Sequence, residues 1–308
     1  MTTHNLSTTE PSVTASRLAV VGTAFSLVWS SAFIAGKIGM DSTGPLTLLS
    51  LRFLLAGVLL VALGRWLGGT RANRAERRAW LTAMLAGLLT NVLYLGLVYS
   101  GMRTVPAGLT AILVSTSPIL TMLLGTMWLR EPFGWRGALG LGAGLLGVVW
   151  IMGGRVGNTP VDVLGVVMIL VGTVALAGAT LLHRIVVGQL DPWQIARVQL
   201  SASGLALLPL AWWIEGLAIR PDTAFFGSLL YQASIVSIGT TLMLLWLVRH
   251  GGVARASGFH LLNPFFGTLL AVLVLGEVVP PSDLIGVVPI VAGLALVLSP
   301  TRQRAWRN

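Results

Sequence analysis

The chain has no cysteine and very little charge. Charged residues make up 10% of its 308 residues and hydrophobic residues 55%, whereas an ordinary soluble domain is about 25% charged. The absence of cysteine excludes a disulfide, a thiol nucleophile and a thiolate metal site. The shortage of charge excludes a soluble fold, because too few polar side chains are present to cover the surface of a chain this long.

Negative charge is scarcer than positive charge. Ten acidic residues stand against 20 basic ones, of which one is a lysine, so the formal net charge is +10. No basic helix carries interleaved aromatic residues, so a nucleic-acid partner is not predicted. None of the acidic residues falls in the middle of an apolar segment, and His260 is the histidine predicted to lie deep inside one.

What the chain does contain is ten apolar segments of about 20 residues, the length that crosses a bilayer as a helix. Residues 1–16 are polar, and the segment after them is too long for the core of a signal peptide, so it is predicted to be the first span. The ten predicted spans are residues 18–39, 45–64, 80–99, 106–128, 135–153, 163–183, 193–214, 224–247, 253–275 and 283–299.

The sequence also repeats itself. Pro118 and Glu131 recur 146 positions later as Pro264 and Glu277. At an offset of 147, equivalent pairs are Lys37 and Arg184, Pro45 and Pro192, Arg52 and Gln199, and Gly57 and Gly204. Each copy holds five predicted spans, and five is odd, so the second copy should enter the membrane from the opposite side. Such an inverted repeat is typical of secondary transporters, whose substrate site lies near the midplane. The predicted organisation is a tail at 1–17, five-helix repeats at 18–155 and 160–300, and a tail at 301–308.

Positive charge is distributed unevenly between the two predicted sides of the membrane. The loops and ends on one side carry 14 lysine and arginine residues and those on the other side carry 4. Cytoplasmic loops carry the excess of positive charge in membrane proteins. Both termini are therefore predicted to be cytoplasmic, in an integral protein of the bacterial inner membrane.

Several of these residues form a pattern that resembles a known family. Trp29-Ser30-Ser31-Ala32-Phe33, Pro45, Arg52 and Pro118 followed by Glu131 look like the first half of an EamA-type member of the drug/metabolite transporter (DMT) superfamily. Pro264, Gly276-Glu277 and Gly286 look like its second half. The resemblance implies an all-α membrane protein of ten helices in two inverted five-helix repeats. It also implies export or exchange of small metabolites, often amino acids, through a central cavity.

The few polar and amphipathic side chains inside the spans are the candidate substrate site. A small number of polar groups against an apolar wall suits a solute the size of an amino acid. The cavity is predicted to be formed by the spans at 18–39, 80–99, 106–128, 163–183, 224–247 and 253–275. The candidate substrate-binding residues are Trp29, Ser30, Arg52, Asn91, Tyr94, Trp246, His260 and Asn263.

Two interpretations remain open for most of these residues. Arg52 is either an anchor for a substrate carboxylate or a clamp that donates to a neighbouring helix. His260 and Asn263 either form a polar wall of the pocket or satisfy a carbonyl freed by the proline kink. Trp246 either lines the cavity or belongs to the interfacial aromatic belt. Gln199 stands where the first copy has Arg52, so the two halves of the pocket are chemically unequal.

Two prolines and two glutamates are candidates for gating. Pro118 and Pro264 are predicted to kink their helices, since proline removes a helical hydrogen bond. Glu131 and Glu277 fall at or just past the ends of their spans. Each is either a partner for nearby backbone or arginine at a helix end, or one of a pair of gates that close the two mouths of the cavity.

The leading prediction is a secondary transporter that exports small metabolites by alternating access, with amino acids as the predicted substrates. An intramembrane enzyme and a channel are the alternatives, and efflux of organic cations or drugs is the alternative substrate class. No HExxH or GxSxG pattern is present, and the chain is predicted to have no catalytic residues, metal or cofactor. The predicted partners are a small-molecule substrate and the lipid bilayer, with the protein as a monomer.

Overall fold

The computed structural model describes residues 14–66, 76–129, 162–278 and 280–298, together with isolated positions between 135 and 150. These residues form an all-α membrane protein. The helices are α1 (Ala15–Met40), α2 (Pro45–Trp66), α3 (Arg77–Gly101), α4 (Ala107–Trp128), α5 (Val163–Val186), α6 (Pro192–Glu215), α7 (Thr223–Val253), α8 (Arg255–Leu275) and α9 (Pro281–Leu298).

Eight helices in this part of the chain, α1 to α8, are long and apolar enough to cross a membrane. The last helix, α9, contains the shorter apolar stretch Leu284–Gly293. Most of the predicted span at 135–153, and Glu131 before it, lie outside the described residues. The count of ten helices therefore stays a prediction.

Local sequence explains where the helices start and stop. Asp191 caps α6 by accepting from the Trp193 N–H and forms a reciprocal pair with Gln194, and Pro192 occupies the first turn, where its missing N–H costs nothing. The helix ends at Gly216, whose φ of +67° is the left-handed conformation that favours glycine. Short polar signals thus terminate an otherwise apolar helix.

Repeat-equivalent glycines allow α2 and α6 to pack closely. A Cβ on Gly57 would lie 2.6 Å from Ser201 Oγ, and a Cβ on Gly204 would lie 2.7 Å from the backbone nitrogen of Leu54. The Ser50 hydroxyl also donates to the Gly204 carbonyl at 3.2 Å. Small residues let membrane helices approach closely, and each copy of the repeat supplies one here.

Four helices depart from regular α geometry at equivalent places in the two copies. Helix α4 is interrupted at residues 115–116, just ahead of Pro118, and α8 passes through the 3-10 segment Phe259–Leu262, just ahead of Pro264. Helices α3 and α7 contain π-helical segments at Leu88–Tyr94 and Gln232–Thr240. Such π-segments are frequent at functional sites, because the wider turn changes the direction of the side chains.

Candidate functional site

A narrow cavity lies between the helices of the bundle. Its lining comes from α1, α2, α3, α5, α6 and α7, and both π-segments contribute to it. The free space is about 30 Å³ for the centres of water molecules, which is room for about two waters and not for an amino acid. The sequence predicted contributions from the spans at 106–128 and 253–275. The structure instead places α2 and α6 in the wall, because their close packing brings both to the centre.

Arg52 is the charged residue of this wall. It is 3% exposed, and its guanidinium donates to Ser237 Oγ at 2.6 Å, Tyr99 Oη at 2.9 Å and Gln232 Oε1 at 2.9 Å. These acceptors are neutral, and no described carboxylate pairs with the guanidinium. Arg52 thus joins α2 to α3 and to the π-segment of α7, as the clamp interpretation predicts, while it also lines the cavity, as the anchor interpretation requires.

Helices α5 and α6 each contribute a polar side chain to the cavity wall. His183 and Gln199 are each 2% exposed, and their Nε2 atoms lie 2.9 Å apart. Both residues line the cavity. The other ring nitrogen, His183 Nδ1, has no hydrogen-bond partner among the described residues. Sequence hydropathy put His183 at the last position of its span, whereas α5 continues to Val186 and buries the imidazole.

Asn91 and Thr90 enter the cavity from the π-segment of α3. The Asn91 amide donates to Ser203 Oγ at 3.1 Å, across to α6. The Thr90 hydroxyl is buried and has no partner among the described residues. The cavity wall therefore presents a guanidinium, two unpartnered polar atoms and the amides of Asn91 and Gln199.

Aromatic rings separate this cavity from a second buried polar cluster. Trp29 lines the cavity; its ring stacks on Tyr94 with centroids 6.1 Å apart and meets the edge of His260 at 4.9 Å. Tyr94 is fully buried, but it does not belong to the cavity lining. The structure thus places one predicted aromatic residue at the cavity wall and the other behind it.

The second cluster, made by Ser26, Ser30, His260 and Asn263, ties α1 to α8. Asn263 Oδ1 accepts from Ser26 Oγ at 3.0 Å and from Ser30 Oγ at 3.3 Å, and its Nδ2 lies 3.1 Å from His260 Nδ1. With the amide oriented this way, His260 Nδ1 must accept, so the proton of the neutral ring is on Nε2. A charged imidazolium would turn two donors towards each other. These residues do not line the cavity described above.

Trp246 also lies away from this cavity. Its ring is 4.6 Å from that of His250, and the guanidinium of Arg17 lies 5.9 Å from the ring centroid. Contact with an arginine near the start of α1 is typical of an amphipathic ring at a bundle end.

One end of the bundle is closed by contacts between the two copies of the repeat. We call it the latch end, comprising residues 41–47, 102–108, 215–222 and 276–277. Glu277 accepts from the backbone N–H of Ala107 at 2.8 Å and of Gly108 at 3.0 Å, so it caps the first turn of α4. Glu277 therefore contacts backbone at the end of a helix. This contact joins the second copy of the repeat to the first.

Glu215 makes the equivalent contact at the start of α2. Its carboxylate accepts from Leu46 N at 2.9 Å, Thr47 N at 2.8 Å and Thr47 Oγ1 at 2.7 Å. A Cβ on Gly44 would lie 2.2 Å from Glu215 Oε2, so glycine at that position makes room for the carboxylate. Lys37 adds a further tie at this end, donating to the carbonyls of Met102 and Val105.

Asp222 completes the latch end. Its carboxylate accepts from the Phe225 N–H at 2.8 Å, from Ser42 Oγ at 2.7 Å and from Arg220 Nε at 3.2 Å. These hydrogen bonds, that of the Phe225 backbone first, lower the pKa of Asp222 below its ordinary value. The group therefore stays ionised at neutral pH and keeps α7 joined to the loop after α1.

Sequence reasoning missed several residues that the structure brings to these sites. Gln199 carried a signal, since it replaces the repeat-equivalent Arg52. Tyr99 carried another, because the chain has only three tyrosines. His183 and Glu215 lie at or next to predicted span ends, where no pattern in the sequence distinguishes them from residues at a membrane surface. Gln232 lies inside the predicted span at 224–247 and belongs to no part of the family pattern.

Comparison with known proteins gives a consistent result. The sequence model of the EamA-like transporter family matches residues 17–153 and again residues 163–299. The inner membrane transporter YedA of Escherichia coli K12 is 29% identical over 290 residues, which cover 91% of this chain and 90% of that protein. The transporter YvbV of Bacillus subtilis is 26% identical and covers 88% of each chain.

One relative carries a more specific name. A "probable terminal-alkyne amino-acid exporter" of Streptantibioticus cattleyicolor is 28% identical over 88% of this chain and 90% of its own length. A crystal structure with 19% sequence identity covers 92% of this chain and 97% of its own, with a TM-score of 0.68. At that identity the structural match establishes a shared fold only.

Proposed function

This chain belongs to the EamA-like transporter family, and from that premise we propose that it exports small metabolites, most specifically amino acids, by alternating access through the central cavity. The chain is a membrane transporter and not an enzyme. We further propose that it resides in an inner membrane with both termini cytoplasmic, which its charge distribution supports.

The observation that carries the proposal is the uncompensated positive charge of Arg52 in the cavity wall. A buried cation surrounded by neutral acceptors attracts a negatively charged group of a ligand. The carboxylate of an amino acid is such a group, and the amides of Asn91 and Gln199 supply oxygens suited to its ammonium. An organic cation has no group that would balance Arg52.

The contacts of the latch end support an inverted arrangement of the two copies. Helix α1 ends at this end, at Met40, whereas its repeat-equivalent α5 begins there, with Asp162 Oδ2 accepting from Thr104 at 2.9 Å. Helix α4 also begins there, at Ala107. A further crossing between α4 and α5, predicted at 135–153, would return the chain to the latch end and give five spans in each copy.

Transport itself is proposed to be facilitative. No acidic residue is predicted at mid-depth, and the hydrogen bond from Asn263 favours a neutral His260. Rocking of the two repeats about the central cavity would then move the solute down its own gradient.

Counterflow in proteoliposomes tests the proposal. Vesicles loaded with an unlabelled amino acid should accumulate the labelled amino acid transiently, and an imposed pH gradient should drive no uphill accumulation. Protein-free vesicles and vesicles loaded with an organic cation are the controls. Exchange of the cation and of no amino acid would overturn the proposed substrate class, and uphill accumulation driven by the pH gradient would overturn the facilitative mechanism.

A further inference from the structure

His183 and Gln199 form a hydrogen-bonded pair that exists in only one copy of the repeat. At the offset of 147, Gln199 is equivalent to Arg52, and His183 is equivalent to Gly36. A Cβ on Gly36 would lie 2.7 Å from the ring of Tyr99, so the first copy uses a glycine there to admit the tyrosine that holds Arg52. The second copy replaces both residues, and the replacements contact each other at 2.9 Å.

The pair leaves one atom without a partner inside the cavity wall. With the Gln199 amide oriented to donate to His183 Nε2, the proton of the neutral imidazole is on Nδ1, which has no partner among the described residues. Leaving a buried donor unsatisfied is unfavourable, and a native structure accepts that cost mainly where a water or a ligand binds. Thr90 Oγ1, in the same wall, is unpartnered as well.

Three of the groups facing the cavity can donate a hydrogen bond to a ligand. Arg52 contributes a positive charge, His183 an N–H and Thr90 a hydroxyl, and all three line the same cavity. A carboxylate, which only accepts hydrogen bonds, is complementary to this set. A carboxamide in place of the carboxylate would turn an N–H donor towards this set.

We infer that the His183–Gln199 pair is the specificity-determining element of the cavity and selects solutes that carry a carboxylate over the matching carboxamides. This inference rests on the proposed transport function but concerns binding, so it can be tested without transport. Gln199 orients the imidazole, and His183 Nδ1–H and the Thr90 hydroxyl donate to the carboxylate beside Arg52. The repeat-equivalent Gly36 has no side chain to contribute, so this hydrogen-bonded pair comes from the second copy alone.

Ligand-dependent thermal stability of the purified protein measures this selection. An amino acid should raise the unfolding temperature of the wild type, because it binds the folded state, and the matching amino-acid amide should not. His183→Leu should weaken the apparent affinity for the acid about tenfold, the loss expected for one hydrogen bond to a charged group. His250→Leu, outside the cavity lining, is the matched control.

A second variant reverses the chemistry at constant side-chain size. Gln199→Glu places a carboxylate in the wall, so the amino acid, which carries a carboxylate itself, should bind at least about tenfold more weakly. The amino-acid amide carries an ammonium and no carboxylate, so it should bind better to the variant. Gln189→Glu, on an exposed side chain that donates to Ile185, is its control.

The outcomes separate the two proposals. Equal stabilisation of the wild type by acid and amide, absence of stabilisation by any acid, or unchanged acid preference in both His183→Leu and Gln199→Glu would overturn the inference. Acid-selective binding that both variants abolish supports it, even if counterflow shows no amino-acid exchange and the proposed function falls.

Discussion

At the scale of single residues, the structure separates two asparagines that the sequence placed in one site. Asn91 lines the cavity, whereas Asn263 is fully buried and holds together Ser26, Ser30 and His260. Among the described residues Asn91 has one hydrogen-bond partner, Ser203, whose hydroxyl also lies 2.6 Å from the Gln199 carbonyl. The two residues should therefore respond differently to the same substitution.

We expect Asn263→Ala to lower the free energy of unfolding by about 1–3 kcal/mol, because it leaves two hydroxyls and an imidazole without partners. Asn91→Ala should cost less than about 1 kcal/mol and should instead change the apparent affinity for solute. Thermal unfolding in detergent and counterflow measure the two effects. If Asn91→Ala proves as destabilising as Asn263→Ala and leaves solute affinity unchanged, Asn91 is a packing residue.

At the scale of helices, the two carboxylates of the latch end act on helix N-termini. Glu215 caps α2 and Glu277 caps α4, each from the other copy of the repeat. A carboxylate at a helix N-terminus gains both hydrogen bonds and the favourable end of the helix dipole. Since alternating access requires the copies to separate at one end, breaking these caps should favour opening of the latch end.

Glu215→Ala should increase the accessibility of the cavity from the latch end about tenfold, since the hydrogen bonds of a charged group contribute about 1.5–3 kcal/mol. The natural absence of cysteine allows a clean measurement. A cysteine introduced at Thr240, in the cavity wall, is labelled with an impermeant maleimide added from the latch-end side.

Two further variants test the same contact. Gly44→Ala should act in the same direction, because the added methyl would collide with the carboxylate. Glu76→Ala should have no effect, since Glu76 precedes α3 with no side-chain capping bond. Unchanged labelling in both Glu215→Ala and Gly44→Ala would show that these contacts do not control the opening.

At the scale of the whole molecule, the proposed inverted repeat fixes the sides on which loops lie. The loop after α2 belongs to the arginine-rich set, and the loop between α6 and α7 belongs to the latch end. Reporter fusions in residues 67–75 and 216–222 should therefore report opposite sides, with the first cytoplasmic. A fusion after residue 308 should report the same side as the first loop. Both loops on one side would rule out the five-span count in each copy.

The sequence by itself determined the class of the protein and its repeats. Hydropathy and length are local properties, so they identified the apolar helices. Pro118 and Pro264 each follow directly on a helix interruption, and proline acts on its own turn. The residues of the family pattern identified the family, and the comparisons confirm it. The repeat offset alone showed that Arg52 and Gln199 are equivalent positions with chemically different side chains.

Only the tertiary structure decided which side chains meet. Arg52 bonds to Ser237, 185 positions away, and Asn91 to Ser203, 112 positions away. Successive residues of a helix point about 100° apart, so the rotation and crossing of each helix, and the shift that a π-segment adds, select the residues that face the centre. These quantities arise from packing between distant segments. For that reason His183, which was not among the predicted site residues, lines the cavity, whereas the predicted residues Trp246, His260 and Asn263 do not.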